Sequence, residues 1–200
     1  MGVLQGRSRG LAVTAALAAL ALLSGCITSD GLAGRYGSGQ GYVSGDGVYL
    51  ELPASEREEP IVFAGPTSDG GELSSEELLG GVSVVNFWYA GCPPCRYEAE
   101  DLARLSTELE DVAFVGVNVF DTAEVARVFE EEFGIEYPSI LDVTRGSVQL
   151  AFAGLVAPNA VPTTLVLDRE GRVAARISGV IRDPDNLRAM VATVQAEAAP

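Results

Sequence analysis

"VVNFWYAGCPPCRYEAEDL", residues 84–102, changes its period halfway along. It opens inside a nearly continuous run of apolar, β-branched and aromatic residues, "VSVVNFW" (82–88), the pattern of a strand covered on both faces. After Cys92 the apolar positions recur every three or four residues, as on one face of a helix. Cys92 itself falls at the N-cap, and Pro93 takes the first helical position, where its missing N–H costs nothing. The helix is expected over about 93–110 and is followed by a second long apolar run, "VAFVGVNVF" (112–120). Strand, helix and strand in this order imply a right-handed parallel crossover.

Further along, "DTAEVARVFEEEFG" (121–134) predicts a second helix, with Asp121 as cap, Glu124 completing a capping box and Gly134 as stop. A short strand near "PSILD" (138–142) and a brief helix around 145–153 come next. In "TTLVLDREGRVAARISG" (163–179) the "DREG" stretch separates two strand-like runs, the pattern of an antiparallel hairpin. A last helix is expected over about 184–196. The sum is an α/β domain with a central mixed sheet flanked by helices.

On the other side of the crossover the chain looks different. Residues 1–25 have the form of an export signal: Arg7 and Arg9, the apolar run "LAVTAALAALALL" (11–23), then small residues before Cys26. The run is short for a membrane-spanning helix. Leu23-Ser24-Gly25-Cys26 resembles a bacterial lipobox, which implies lipidation of Cys26 and cleavage in front of it. Residues 26–60, with "SDGLAGRYGSGQGYVSGDG" and "PASEREEP", lack any apolar period and read as a flexible Gly/Ser-rich spacer, leaving 61–200 as the folded domain. Tyr36, Tyr42, Val48 and Tyr49 leave room for a short strand inside that spacer. The expected place of the mature protein is therefore the extracytoplasmic face of a bacterial cell membrane, tethered by lipid, where protein thiols tend to become oxidised.

Composition removes several classes of function. The 200 residues carry 13 Arg and no Lys against 28 acids, a formal net charge of −15. Such a polyanion repels nucleic acid, and no nucleic-acid partner is expected. There is no His, which excludes Ser-His and Cys-His hydrolases and withholds the commonest transition-metal ligand.

Three readings compete for Cys92 and Cys95. A zinc site needs four ligands, and the chain offers neither a second cysteine pair nor histidines. A structural disulfide across two residues closes too small a loop to constrain the unfolded chain much. A redox dithiol fits the position: the free N–H groups and positive end of the helix stabilise a thiolate, lowering a thiol pKa to about 3.5–7.5 in such motifs. Cys92 is then the exposed attacking sulfur, and Cys95, one turn deeper, resolves the mixed disulfide. Cys95, Glu98, Leu102, Leu105 and Leu109 share a face, so Glu98 lies in a stripe that should be apolar. A carboxyl buried there is pushed up by desolvation and can exchange a proton with Cys95; the alternative is a rim carboxyl bonded to water or Arg.

These residues together resemble the extracytoplasmic thioredoxin-like proteins of the TlpA/ResA-like type, membrane-tethered thiol-disulfide oxidoreductases, here in lipoprotein form. The motifs are Asn86-Phe87-Trp88, Cys92-Pro93-Pro94-Cys95, Glu98, and Val161-Pro162-Thr163 before a hairpin strand, and the likeness runs from about residue 63 to the last helix. It implies a thioredoxin-like fold, a proton-handling role for Glu98, and a cis Pro162 facing the dithiol, although an X-Pro bond is cis only about 5–6% of the time in general. Trp88, Val161 and Pro162 are then expected to line the substrate site, with the Val161 backbone pairing with a client strand. Without the resemblance Pro162 is a plain strand-start proline. Tyr97, Phe129 and Phe133 read as packing residues, and Pro138 and Pro158 as turn residues.

Asn86 stands where cytoplasmic thioredoxins carry a buried Asp. Gly91 stands where the family usually has Trp, so substrate preference and redox tuning do not carry over. The implied activity is disulfide reduction in exported protein clients, cytochrome c maturation among the tasks, with a membrane thiol electron donor, no cofactor, no metal, and a monomer. Oxidation of secreted proteins by the same dithiol, and a non-catalytic binding lipoprotein, are the alternatives.

Overall fold

The computed structural model of the chain describes residues 48–155 and 160–197. Cys26, the export signal, Pro158 and the first part of the spacer lie outside the described residues.

The strands are β1 (Tyr49–Glu51), β2 (Ala64–Pro66), β3 (Glu72–Ser74), β4 (Val82–Trp88), β5 (Val112–Asn118), β6 (Ser139–Leu141), β7 (Thr163–Leu167) and β8 (Val173–Ser178). The α-helices are α1 (Pro93–Glu108), α2 (Ala123–Phe133), α3 (Ser147–Ala151) and α4 (Pro184–Gln195). Six strands form one mixed sheet in the order β1-β8-β7-β4-β5-β6, and β2 and β3 pair separately as a small hairpin. β4 runs parallel to β5 and β5 parallel to β6, while β7 is antiparallel to both β4 and β8. The expected mixed sheet flanked by helices is therefore the architecture found.

Every residue of β4 is buried, as the continuous apolar run requires of a central strand with both faces covered. Alternate residues feed two cores. Val84, Phe114, Leu105, Leu187 and Val191 pack on the side of α1 and α4, and Phe87, Val117, Ile140, Phe152 and Leu165 pack on the other. Gly134 ends α2 in the left-handed conformation at φ 66°, which glycine adopts without a Cβ penalty.

Two expectations need correction. The folded domain does not begin at residue 61: β1 pairs antiparallel with β8, matching Tyr49 to Ile177. The side chain of Arg57, only 2% exposed, reaches Asp168 at 2.9 Å and Glu197 at 2.5 Å. The partners that order this Glu-rich stretch lie more than a hundred residues downstream, where no local pattern points to them. The second correction is the cap of α2. Its N-cap is Thr122, with no side-chain cap hydrogen bond, because the Asp121 carboxylate is occupied elsewhere.

Candidate active site

The site forms where β4 ends and α1 begins. Cys92 is the N-cap of α1, and the chain turns into it through a hydrogen bond from Cys92 N to the Tyr89 carbonyl at 3.1 Å. Two anchors hold the turn. Ala90 N donates to Asp121 Oδ2 at 2.6 Å, and the Ala90 carbonyl accepts from Arg96 at 3.4 Å. Asp121 is itself held by Asn118, whose Nδ2 donates to Asp121 Oδ2 at 2.9 Å and whose Oδ1 accepts from Asp121 N at 2.7 Å. The loop after β5 therefore positions the loop after β4.

Cys92 and Cys95 are joined in a disulfide, with Cα atoms 5.2 Å apart. Cys95 N donates to Cys92 Sγ at 3.3 Å, so a backbone N–H of the first helical turn points at the first sulfur. A sulfur in that position receives the unpaired N–H groups and the positive end of the helix, which favour its anionic form. On the opposite side, Cys92 Sγ lies 3.9 Å from the Val161 carbonyl oxygen. The Val161–Pro162 bond is cis, as the resemblance implies, and Thr163 Oγ1 donates to the Ala160 carbonyl at 2.6 Å in the same turn.

The exposed sulfur expected at Cys92 is not what the structure holds: the residue is 2% exposed, like Cys95. In the disulfide form its sulfur is turned toward its partner and lies close to Val161, with Tyr89, Ala90 and Val161 packed against the cysteine cluster. Trp88 is not a surface contact either. It is buried in the same cluster and stacked on Phe129 at 4.4 Å, so it supports the cysteines from beneath. Gly116 on β5 makes room for it, since a Cβ there would sit 2.7 Å from Trp88 Nε1. Phe129 and Phe133 are packing residues, whereas Tyr97 points outward and is exposed.

Glu98 is buried on the inner face of α1, at 0% exposure. Its Oε1 accepts from Asn86 Nδ2 at 3.0 Å and its Oε2 from Ile181 N at 2.7 Å. Asn86 also donates to Thr164 Oγ1 at 3.0 Å, tying the carboxyl to β4 and β7. Burial pushes the Glu98 carboxyl up to about 7, with the Ile181 and Asn86 hydrogen bonds pulling in the opposite direction. Among the described residues no arginine is bonded to it, and its full burial excludes the rim position. Among the described residues no group of His, Cys, Asp or Glu is arranged to hold a metal ion, and no helix is long and apolar enough to cross a membrane.

The structure thus brings Cys92, Cys95, Val161 and Pro162 together at the N-terminal end of α1, with Glu98 one turn further along the helix and Trp88 behind. Sequence reasoning missed the Asn118–Asp121 brace, the Asn86 and Ile181 donors to Glu98, and the bond that ties Asn86 to Thr164. Only Asn118, a polar residue inside an apolar run, offered a signal.

Comparison with known proteins agrees with this geometry. Residues 58–176 match the model of the AhpC/TSA family. The chain is 35% identical over 124 residues to a thiol:disulfide interchange protein DsbE homolog of Paracoccus denitrificans, covering 62% of this chain and 65% of the relative. It is 28% identical over 131 residues to the thiol-disulfide oxidoreductase ResA of Bacillus subtilis, covering 64% and 70%. The matched segment is therefore about two thirds of the length of these relatives. A solved structure of a DsbF homologue from Corynebacterium diphtheriae superposes with a TM-score of 0.67 at 28% identity, covering 76% of this chain and 96% of that one. A secreted thiol-disulfide isomerase from Corynebacterium glutamicum superposes with a TM-score of 0.66, also at 28% identity, over 77% and 96%.

Proposed function

The chain belongs to the AhpC/TSA family and stands among its thiol-disulfide oxidoreductases, and on that premise we propose that it is an extracytoplasmic protein disulfide reductase tethered to the membrane through Cys26. The observation that carries the reading is the disulfide at the N-cap of α1 lying above a buried carboxyl, Glu98, with the Val161 backbone beside the first sulfur.

In the reduced enzyme the Cys92 thiolate attacks one sulfur of a client disulfide. The client S–S bond breaks, the leaving thiolate takes a proton from solvent, and Cys92 is left in a mixed disulfide. Cys95 then passes its thiol proton to the Glu98 carboxylate and attacks the Cys92 sulfur. The second client thiol leaves as the Cys92–Cys95 bond closes. Two electrons have passed from enzyme to client, with Glu98 and solvent carrying the protons, and a dithiol donor in the membrane returns them. With a carboxyl poised near neutral pH, Glu98 can take and release that proton in one cycle. Clients are exported proteins, and cytochrome c maturation is the task the family resemblance implies.

The test is trapping with Cys95→Ser. Cys92 should accumulate a mixed disulfide with exported proteins, which mass spectrometry identifies, and in the wild type the potential of the Cys92–Cys95 couple should lie toward the reducing end of the roughly −270 to −120 mV range of such proteins. A potential at the oxidising end would replace the reductase by an oxidase. An absence of any mixed disulfide would leave only a binding role.

A further inference from the structure

Beside the dithiol stands an aromatic pair that the reaction steps do not use. Tyr89 follows β4 and Phe120 follows β5, and their ring centroids are 5.7 Å apart. Phe120 is 72% exposed, yet its loop is fixed: Phe120 N donates to Asn118 Oδ1 at 3.1 Å, and the next residue, Asp121, braces Ala90. Tyr89 is half-buried and packs against the cluster containing Cys92. Its ring also lies over Gly91, where an added Cβ would meet Tyr89 Cε2 at 3.5 Å and Cδ2 at 3.7 Å. Gly91, directly before Cys92, has no side chain, and an aromatic surface beside it is supplied from the flanking loops.

The exchange reaction fixes what must approach that surface. A client sulfur has to come within about 2.0 Å of Cys92 Sγ, and the residue next to the client cysteine lies only about 3.8 Å further along its chain. Among the described residues, the Tyr89–Phe120 pair offers the flanking side chain an exposed aromatic surface beside the Cys92 cluster. We infer that Tyr89 and Phe120 determine specificity by receiving an aromatic or large aliphatic side chain adjacent to the cysteine of an extended client polypeptide. Both rings sit on braced loops, so the ordering needed on binding falls mainly on the client. The inference rests on the thiol-exchange reading given above.

The full chain, reduced, is assayed against two symmetrical disulfides, those of N-acetyl-Phe-Cys-amide and N-acetyl-Ser-Cys-amide, and the ratio of their kcat/KM values is the readout. The wild type should favour the Phe peptide by about three- to tenfold, the worth of one aromatic contact, with the difference carried by KM. Phe120→Ser and Tyr89→Ser should bring the ratio close to one, and Phe120→Tyr should keep it. A wild-type ratio near one, or a preference that survives both serine variants, overturns the inference while leaving the exchange reading intact. Failure of the wild type to reduce either peptide sinks the exchange reading, and this inference with it.

Discussion

Glu98 and Asp168 are both carboxylates in the interior, toward opposite ends of β4, and their surroundings push them in opposite directions. Asp168 sits in the turn of the β7–β8 hairpin. Burial raises it, but the Arg172 backbone N–H and the Arg57 and Arg172 guanidiniums outweigh that and hold it below the usual carboxylate range. Glu98 is more deeply buried and receives only two neutral donors, Asn86 Nδ2 and Ile181 N, so desolvation wins and the group is pushed up to about 7. Depth of burial and the presence of a cation together decide the outcome. At the hairpin a buried charge is neutralised and serves to tie β1, the segment after it and α4 together; beside the dithiol a buried acid is left able to gain and lose a proton.

Variants that remove one region's function while sparing the other test this division. Cys92→Ser should abolish disulfide reduction altogether and leave the fold intact, measured by insulin or peptide-disulfide turnover alongside circular dichroism. Glu98→Gln should lower the rate of the resolving step by about a hundredfold, at the lower end of what a positioned acid–base group contributes. Because Cys95 gives its proton to the ionised carboxylate, the wild-type rate should rise with pH through about 7, and the variant should lack that inflection. A variant profile that keeps the inflection would assign it to another group.

At the other end, Arg57→Ala leaves Glu197 without its cation and Asp168 with Arg172 alone, and should cost about 2–3 kcal/mol of stability, read from the denaturant midpoint. The activity per folded molecule should stay unchanged. pH separates the two carboxylates again. The folded protein binds the Glu98 proton more tightly than the unfolded chain does. Its contribution is therefore fully present below about 4.5 and lost as pH rises through about 7, a difference of about 3 kcal/mol that Glu98→Gln should flatten. Asp168 works in reverse: its contribution is present above its unfolded value and lost as pH falls through its lowered folded value. The smallest effect is expected at the brace, where Asp121→Ala removes a charge-assisted hydrogen bond to Ala90 N and should cost about 2 kcal/mol, measured by thermal unfolding.

What the sequence could and could not reveal follows the range of the interactions. β4, α1 and β5 were readable because burial of a central strand and the capping of a helix by Cys92 and Pro93 are local matters of pattern. Glu98 stood out for the same reason, as a charge in an apolar stripe. The role of residues 48–60 was hidden because Arg57 finds its carboxylates across the whole length of the domain, and composition alone made the stretch look like a spacer. Asp121 was misread since a helix cap and a loop brace need the same residue just before the same helix, and only the position of Ala90 distinguishes them. The burial of Cys92 was illegible for a different reason: it depends on the disulfide and on the Val161 turn, 69 residues away in sequence but 3.9 Å away in space.

The most direct test is a carbon-13 NMR titration of the glutamate side-chain carboxyls, with Glu98→Gln used to assign the resonance. A midpoint of about 7 for Glu98 is the expected result. A midpoint near 4.5, the ordinary glutamate value, would mean that burial without a cation does not hold this acid in reserve, and would contradict its part in the exchange.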